Sequence, residues 1–158
     1  MSLLNALRQA VKTQLEAIPN IGVVHARVRY APDAASFRAL YTATIDGMPQ
    51  VRGWAITVVQ TELAAETFGR PVSLGGRVVL ELLGWQGLDD AAASDEALVE
   101  LAEQVLVRLA DADLAVPGAY ARVLTPNLTQ VAEVMFAGVL CHRVTIACPV
   151  LVGESARW

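Results

Sequence analysis

The sequence contains little cysteine and little histidine, with two residues of each in a chain of 158. Cys141 and Cys148 both fall in a predicted strand, where their odd spacing places them on opposite faces and excludes a disulfide between them. Cys141 and His142 are neighbours in that strand, so the imidazole is badly placed to activate the thiol as a nucleophile. His25 lies far away in the sequence, and no zinc-ligand spacing exists. We expect two buried free thiols, a reducing compartment and no metal site.

Charged residues are also scarce, at 18% of the chain, and their balance is acidic, with a net charge of −4. This balance argues against a dedicated nucleic-acid-binding protein, because such proteins carry a basic domain or stripe. The hydrophobic fraction of 54% excludes a disordered chain. No apolar run approaches the ~20 residues of a membrane-spanning helix, and the first residues do not have the order of a secretory signal. We therefore expect a soluble globular protein that does not bind membranes.

Two stretches have the 3.6-residue period of an amphipathic helix. The first is predicted to begin at the N-cap Ser2 and to end before Pro19-Asn20. The second is predicted to begin at the N-cap Ser94, with Asp95 and Glu96 in the first turn, where negative charge complements the helix dipole. The apolar stripes are Leu4, Leu7, Val11, Leu15 and Ile18 in the first helix, and Leu98, Leu101, Ala102, Val105, Leu106 and Leu109 in the second.

Several other stretches have strand patterns. Residues 23–30 alternate, with His25, Arg27 and Arg29 on a solvent-facing side. Residues 54–61 form a second predicted strand, and residues 77–85 are apolar on both faces, as in a central strand. Residues 129–136 and 139–151 flank Ala137-Gly138 and predict an antiparallel hairpin. Pro149, in the second arm of that hairpin, predicts a sheet edge or a strand end.

Two segments are harder to interpret. Residues 36–53 fit a short helix or a strand equally well. Residues 62–76 have a weak helical start followed by glycine and proline, and predict a surface loop long enough to have a role in contact. Phe68 and Arg70 in this loop, together with Arg52, are the candidate partner-contact residues, because aromatic and arginine side chains anchor interfaces. The alternative, a loop folded back onto its own sheet, stays open.

The order of these elements predicts one α+β domain, a mostly antiparallel β-sheet with two main amphipathic helices packed on it. We expect this domain to cover residues 1–152, followed by a loose tail over residues 153–158. The glycine-rich residues 69–76 lack the lysine of a phosphate loop. The acidic residues Asp89, Asp90, Asp95 and Glu96 are interpreted as a solvated turn and a helix start. We therefore predict no catalytic residues, no cofactor and no enzyme activity.

One stretch, residues 77–109 (RVVLELLGWQGLDDAAASDEALVELAEQVLVRL), joins a strand ending in an aromatic residue, a G-L-D-D turn, an acidic helix start and a long amphipathic helix. This arrangement resembles the small tail-completion and tail-terminator proteins of tailed bacteriophages and prophages. The opening helix and alternating strand, residues 4–30, are similar to the beginning of those proteins. The F-x-G-x-x-C-H-R-V-T-I segment, residues 136–146, is similar to their last hairpin. The family has no active-site residues to carry over.

The resemblance implies a structural protein that assembles as a homo-oligomeric ring, typically a hexamer, on the head-proximal end of the tail tube. Such a ring stops polymerisation of the tail tube protein and offers a surface to the head-tail connector or neck protein. A head-to-tail contact closes into a ring when its rotation divides a full turn. DNA would pass through the ring without specific binding. The expected location is the virion, in the tail or neck, after assembly in the bacterial host cytoplasm.

Three alternatives remain open from the sequence. A neck or head-completion protein of the same assembly has a similar pattern. A small enzyme or ligand-binding α+β domain would need a concave pocket with converging polar groups. An adaptor or chaperone would dimerise through an exposed sheet edge.

Overall fold

The computed structural model of the chain describes residues 1–66 and 73–154. Its regular elements are α1 (Leu3–Glu16), β1 (Val23–His25), α2 (Ala34–Ala39), β2 (Thr42–Ile45), β3 (Met48–Glu66), β4 (Ser73–Gly87), α3 (Ser94–Leu109), β5 (Ala119–Val123), β6 (Asn127–Phe136) and β7 (Val139–Glu154). A short 3-10 helix, Asp90–Ala92, precedes α3. No helix within the described ranges is both long enough and apolar enough to span a lipid bilayer.

The strands form one sheet in the order β1-β3-β4-β7-β5, with β2 also paired to β3 and β6 also paired to β7. Every pairing is antiparallel except the short parallel contact between β1 and β3. β4 is central, as its apolar faces predicted. The fold class is therefore confirmed: one α+β domain with a mostly antiparallel sheet and two long helices, to which the short α2 is added.

The helices α1 and α3 pack on one face of the sheet and form the first core with β3, β4 and β7. Leu7, Val11 and Leu15 of α1 are fully buried there, as the 3.6-residue stripe predicted. Leu98 and Val105 of α3 pack into the same cluster. The side chain of Ser2 caps α1 by accepting a hydrogen bond from the backbone N–H of Asn5, at 3.3 Å. The first core is almost entirely aliphatic, with Trp54 as its one aromatic member among the described residues.

The opposite face of the sheet carries a second core that is aromatic. The ring of Tyr41 lies 5.3 Å from that of Trp85 and 5.0 Å from that of Phe136, measured between centroids, and both contacts are edge-to-face. Trp85 and Phe136 stack on each other at 4.8 Å. Phe37 of α2 packs against this group. Residues 26–41 therefore form the cover of the second core, where α1 and α3 cover the first.

The predicted strand over residues 23–30 is only partly correct. β1 ends at His25, and the chain then leaves the sheet to cover the second core. The backbone N–H of Arg29 donates to the hydroxyl of Tyr41 at 3.0 Å, and that hydroxyl donates to the carbonyl of Arg29 at 3.3 Å. This contact with a residue 12 positions away overrides the local alternation. Residues 36–53, by contrast, combine both interpretations, since α2 is followed by β2 and the turn Asp46-Gly47.

The predicted surface loop over residues 62–76 is wrong in its described parts. Glu62 pairs with Arg77, and Ala65 pairs with Leu74, so β3 and β4 continue as a ladder into this segment. Gly76 has φ +138, and a Cβ there would collide with the carbonyl of Glu62. Gly76, one of the glycines that predicted a loop, therefore permits a close approach of two strands. Phe68 and Arg70 lie outside the described residues.

Ser94 is not the N-cap of α3. The cap is Ala93, which has a left-handed backbone (φ +48) and no side-chain capping bond. Ser94 is buried, its hydroxyl accepts the backbone N–H of Asp89 at 2.8 Å, and the same oxygen lies 3.1 Å from Nε2 of His142. The serine ties the preceding turn to β7. Asp95 and Glu96 occupy the first turn, as predicted.

Two predictions about β7 are also corrected. Pro149 lies within the strand and away from any edge, because β4 flanks it on one side and the partner on the other side changes there from β6 to β5. Its carbonyl accepts the backbone N–H of Leu124 at 2.8 Å. The amide nitrogen faces the same junction, where no ladder N–H is needed. Gly153 pairs with Tyr120, so the strand continues to Glu154, where the sequence predicted the start of a loose tail. Residues 155–158 of that predicted tail lie outside the described residues.

Candidate functional site

Arg52, one of the three predicted contact residues, faces inward. Its side chain is 8% exposed, and Nη1 donates to the carbonyl of Asn20 at 3.1 Å. Burial lowers the pKa of this guanidinium. The residue fixes the turn between α1 and β1, where Gly22 (φ +91) leaves room for the backbone carbonyl of Arg52. Little of the Arg52 side chain is therefore exposed in the isolated chain, and its contact with a partner stays a prediction.

The outer edge of the sheet at β6 carries a group of exposed apolar side chains that we call the β6 patch, formed by Leu88, Val131, Met135 and Leu140. Met135 and Leu140 are directly opposite each other across the β6–β7 ladder. The backbone N–H of Leu88 donates to the carbonyl of Leu140 at 3.0 Å, which brings the loop residue to the same place. Within the described residues, β6 has β7 as its only strand neighbour, so its outer backbone groups are free to pair.

The other side of the sheet has a second open edge, along residues 56–66 of β3. β2 and β1 pair with β3 only at residues 48–51 and 53–55, and beyond them β4 is its only strand neighbour in the described part of the chain. A β-bulge at Val59 interrupts the ladder, and the side chain of Val59 is 53% exposed. Leu74 on β4 is also exposed near the end of this ladder. We call residues 56–66 the open edge of β3.

A basic cleft of about 440 Å³ lies between α1 and the segment that follows β1. It is lined by Met1, Asn5, Arg8, Gln9, Lys12, His25, Ala26, Arg27 and Arg29. The alternation of His25, Arg27 and Arg29 was visible in the sequence, but the cationic flank of α1 that faces them is brought there only by the fold. Nε2 of His25 lies 2.6 Å from the carbonyl of Leu40, which fixes the imidazole at the edge of the cleft.

The two cysteines are free, buried and divided between the two cores. Burial raises the pKa of Cys141 in the second core to about 11 and that of Cys148 in the first core to about 12. Thiols with such pKa values are protonated at neutral pH, so neither is poised as a nucleophile. Over residues 1–66 and 73–154, no three His, Cys, Asp or Glu side chains come close enough together to hold a metal ion.

Comparison with known proteins supports the fold without naming a function. No protein-family model matches the chain. No curated protein matches it in sequence. Seven chains of solved structures match its fold. One of them, whose name states neither an activity nor a partner, superposes with a TM-score of 0.55 at 13% sequence identity, covering 96% of this chain and 94% of its own.

Proposed function

We propose that this chain is a structural protein of a phage or prophage tail. It forms a ring on the head-proximal end of the tail tube, stops tube polymerisation and provides the surface for head-tail joining. The proposal rests on the resemblance of residues 77–109, 4–30 and 136–146 to tail-terminator proteins, and on the surfaces of the molecule described above.

The observation that carries the proposal is the presence of two unlike open edges on opposite sides of one sheet. The open edge of β3 is long, and an unpaired strand is a template to which another strand can add. The outer edge at β6, Asn127–Phe136, is of similar length, but the β6 patch groups four exposed apolar side chains, which is typical of the core of a protein interface. A protein that ends a polymer needs two such different surfaces. One surface matches the growing end of the tube, and the other does not.

We assign the open edge of β3 to the tube and the β6 patch to the connector. Val59 and Val131 provide a matched pair of probes, because they are the same residue type at 53% and 54% exposure on the two edges. A lysine at either position places a charge on an edge strand, which discourages strand addition and apolar docking. Neither substitution removes a buried side chain, so both variants should fold.

The test uses a purified tail tube protein from the genome that encodes this chain, polymerised in vitro and followed by negative-stain electron microscopy. The wild-type protein should form rings at one end of each tube and should stop elongation. Val59→Lys should lose capping, whereas Val131→Lys should cap tubes but lose binding to the purified connector protein. Tubes that grow to the same length with and without saturating wild-type protein would contradict the proposal.

The same experiment separates the closest alternatives. Binding to the purified connector without any capping of tubes would identify a neck protein of the same assembly. A dimer that is disrupted by Val59→Lys and that ignores both tubes and connector would identify an adaptor pairing through its sheet edge.

A further inference from the structure

The basic cleft reverses the charge of an otherwise acidic protein. Arg8, Lys12, Arg27 and Arg29 line it, and none of its lining residues is acidic. These are four of the 12 Lys and Arg residues in a chain of net charge −4, so the surface outside the cleft is strongly acidic. Nε of Arg8 is buried and has no hydrogen-bond acceptor among the described residues. Lys12 is ion-paired with Glu16 one turn further along α1, and Nη2 of Arg8 donates to Oδ1 of Asn5. Arg27 and Arg29 make no ion pair among the described residues, so the cleft still presents cationic donors to an anionic ligand.

The outer side of α3 presents the opposite charge in a regular line. Glu96, Glu100 and Glu103 are exposed and lie on the side of the helix that faces away from its buried stripe. Val107 continues the same line and is 79% exposed. Exposed acidic residues are ordinary on a surface helix, but a valine that is 79% exposed is not. We call these four residues the α3 ridge.

The spacing of the ridge matches the spacing of the cleft. Asn5 to Lys12 on α1 and Glu96 to Glu103 on α3 each span seven residues, which is about 10 Å along a helix axis. Met1, which is 93% exposed, precedes Asn5 by four positions, and Val107 follows Glu103 by four. In an antiparallel pairing of the two helices, the three carboxylates meet Asn5, Arg8 and Lys12 of α1 while the two exposed apolar residues meet each other.

The ridge cannot fill the cleft of its own molecule. Asn5, Arg8 and Lys12 lie on one flank of α1, whereas the other flank faces α3, as the hydrogen bond from Nε of Arg108 to Gln14 at 2.9 Å records. We infer that the basic cleft of one copy binds the α3 ridge of the next copy of this chain. The contact joins two different surfaces, so it is head-to-tail and can close into a ring. It names the subunit contact of the ring and thus rests on the proposed function.

A nucleic acid fits the cleft less well than the ridge does. Duplex DNA carries one charge per ~1.7 Å and is bound by long basic stripes. This cleft is short and is bordered by an acidic surface, which repels the phosphates that would extend past it. The α3 ridge, by contrast, has three carboxylates, a number that the four basic residues of the cleft can neutralise.

Charge reversal tests the contact by sedimentation velocity of the full chain at low salt. Arg27→Glu in the cleft and Glu100→Arg on the ridge should each weaken self-association by about a hundredfold, because each puts like charges together. Arg77→Glu is the matched control, since it makes the same change at an exposed position of β4 outside both surfaces. It places a carboxylate opposite Glu62 across the ladder, so circular dichroism should first show that the variant is folded. It should assemble like the wild type. Added salt should weaken the wild-type contact.

Restoration provides the decisive arm. An equimolar mixture of Arg27→Glu and Glu100→Arg chains should assemble again, with the two kinds of subunit alternating, and so should the double variant alone. The inference is overturned if restoration fails, if Arg77→Glu is as damaging as Arg27→Glu, or if the wild type stays monomeric. It is also overturned if Arg27→Glu loses binding to a labelled DNA duplex but not to other copies. If the wild type caps tubes but the charge-swapped variants do not restore assembly, this contact is wrong and the proposed function is unaffected.

Discussion

The two cores on the two faces of the sheet share one feature, an aromatic ring packed over a glycine of the sheet, and differ in the segments that cover them. In each, an aromatic ring lies over a sheet glycine, Trp54 over Gly84 in the first core and Tyr41 over Gly53 in the second. In each, the polar atom of the ring holds a connecting segment. Trp54 Nε1 donates to the carbonyl of Ile21 at 3.0 Å, and the Tyr41 hydroxyl bonds both backbone groups of Arg29.

The covers of the two cores are what differ. Two long amphipathic helices cover the first, and each bury a periodic aliphatic stripe. A short helix and irregular chain cover the second, held by ring contacts between residues as far apart as Phe37 and Phe136. We infer that the first core provides most of the stability of the domain, and that the second core can loosen without unfolding the first. The following changes test this comparison.

Leu101→Asp should have the largest effect. Leu101 is 6% exposed on the inner side of α3, and a carboxylate there would be buried without a partner. Such a charge costs about 3–5 kcal/mol, which is much of the stability of a domain of this size. The variant should fail to give folded soluble protein by circular dichroism. Val107→Asp on the exposed side of the same helix should melt like the wild type when both are compared as monomers at high salt. A normally melting Leu101→Asp would refute this orientation of α3.

Phe136→Ala should cost about 3–4 kcal/mol by urea denaturation, because it removes a ring that contacts Phe37, Tyr41 and Trp85. The damage should stay on one face. Cys141 should then react with a thiol reagent in native buffer while Cys148 stays protected, as judged by mass spectrometry. Equal exposure of both thiols would show that the two cores unfold together.

The glycines under the two rings allow a sharper test. At Gly53, an added Cβ would lie 2.8 Å from the ring and 3.2 Å from the Cα of Tyr41. At Gly84, the three nearest atoms are all ring atoms of Trp54, the closest at 2.7 Å. Each alanine substitution should cost about 1–3 kcal/mol through overpacking. Gly53→Ala should increase hydrogen exchange in residues 26–41, whereas Gly84→Ala should lower the protection of the first core. If both variants show the same pattern of hydrogen exchange, the two cores do not loosen independently.

Tyr41→Phe should have the smallest effect, about 1 kcal/mol, because it removes the hydroxyl that holds Arg29 and keeps the ring. Burial raises the pKa of Tyr41. The unfolded tyrosine therefore ionises first, and wild-type stability should fall as the pH rises above about 10. Both buried thiols contribute in the same direction, so the test is the difference between wild type and Tyr41→Phe across that range. Parallel pH profiles would show that the hydroxyl titrates normally.

The parts predicted from the sequence are those in which neighbours along the chain determine the structure. The stripes of α1 and α3, the apolar β4 and the two-residue turn Ala137-Gly138 are all local signals. The prediction of a loop at residues 62–66 was wrong because the partner strand is rich in glycine. Its sequence resembles a loop, and only the pairing of the two strands shows that it is part of the sheet. The prediction of Ser94 as an N-cap was wrong because its hydroxyl accepts the backbone N–H of Asp89 instead of capping α3. The hydroxyl also lies beside His142, a residue 48 positions away.

The same division holds for the candidate surfaces. The alternation of Arg27 and Arg29 was visible, but their position opposite Arg8 follows from the packing of α1. Val131 and Met135 alternate within a predicted strand, and only the sheet order shows that this strand is outermost. Arg52 was chosen for its residue type, and its burial beneath the Asn20 turn could not be foreseen from its neighbours.

The place of β7 in the chain has a consequence for biosynthesis. This strand follows its three partners β4, β5 and β6, and it supplies Val144 and Ile146 to one layer and Cys141 to the other. Until β7 has emerged from the ribosome, neither face of the sheet can be closed, and the earlier strands are exposed with their apolar sides uncovered. We expect nascent chains to be held by chaperones until residue 154 has left the exit tunnel, after which both layers can form in a single late step.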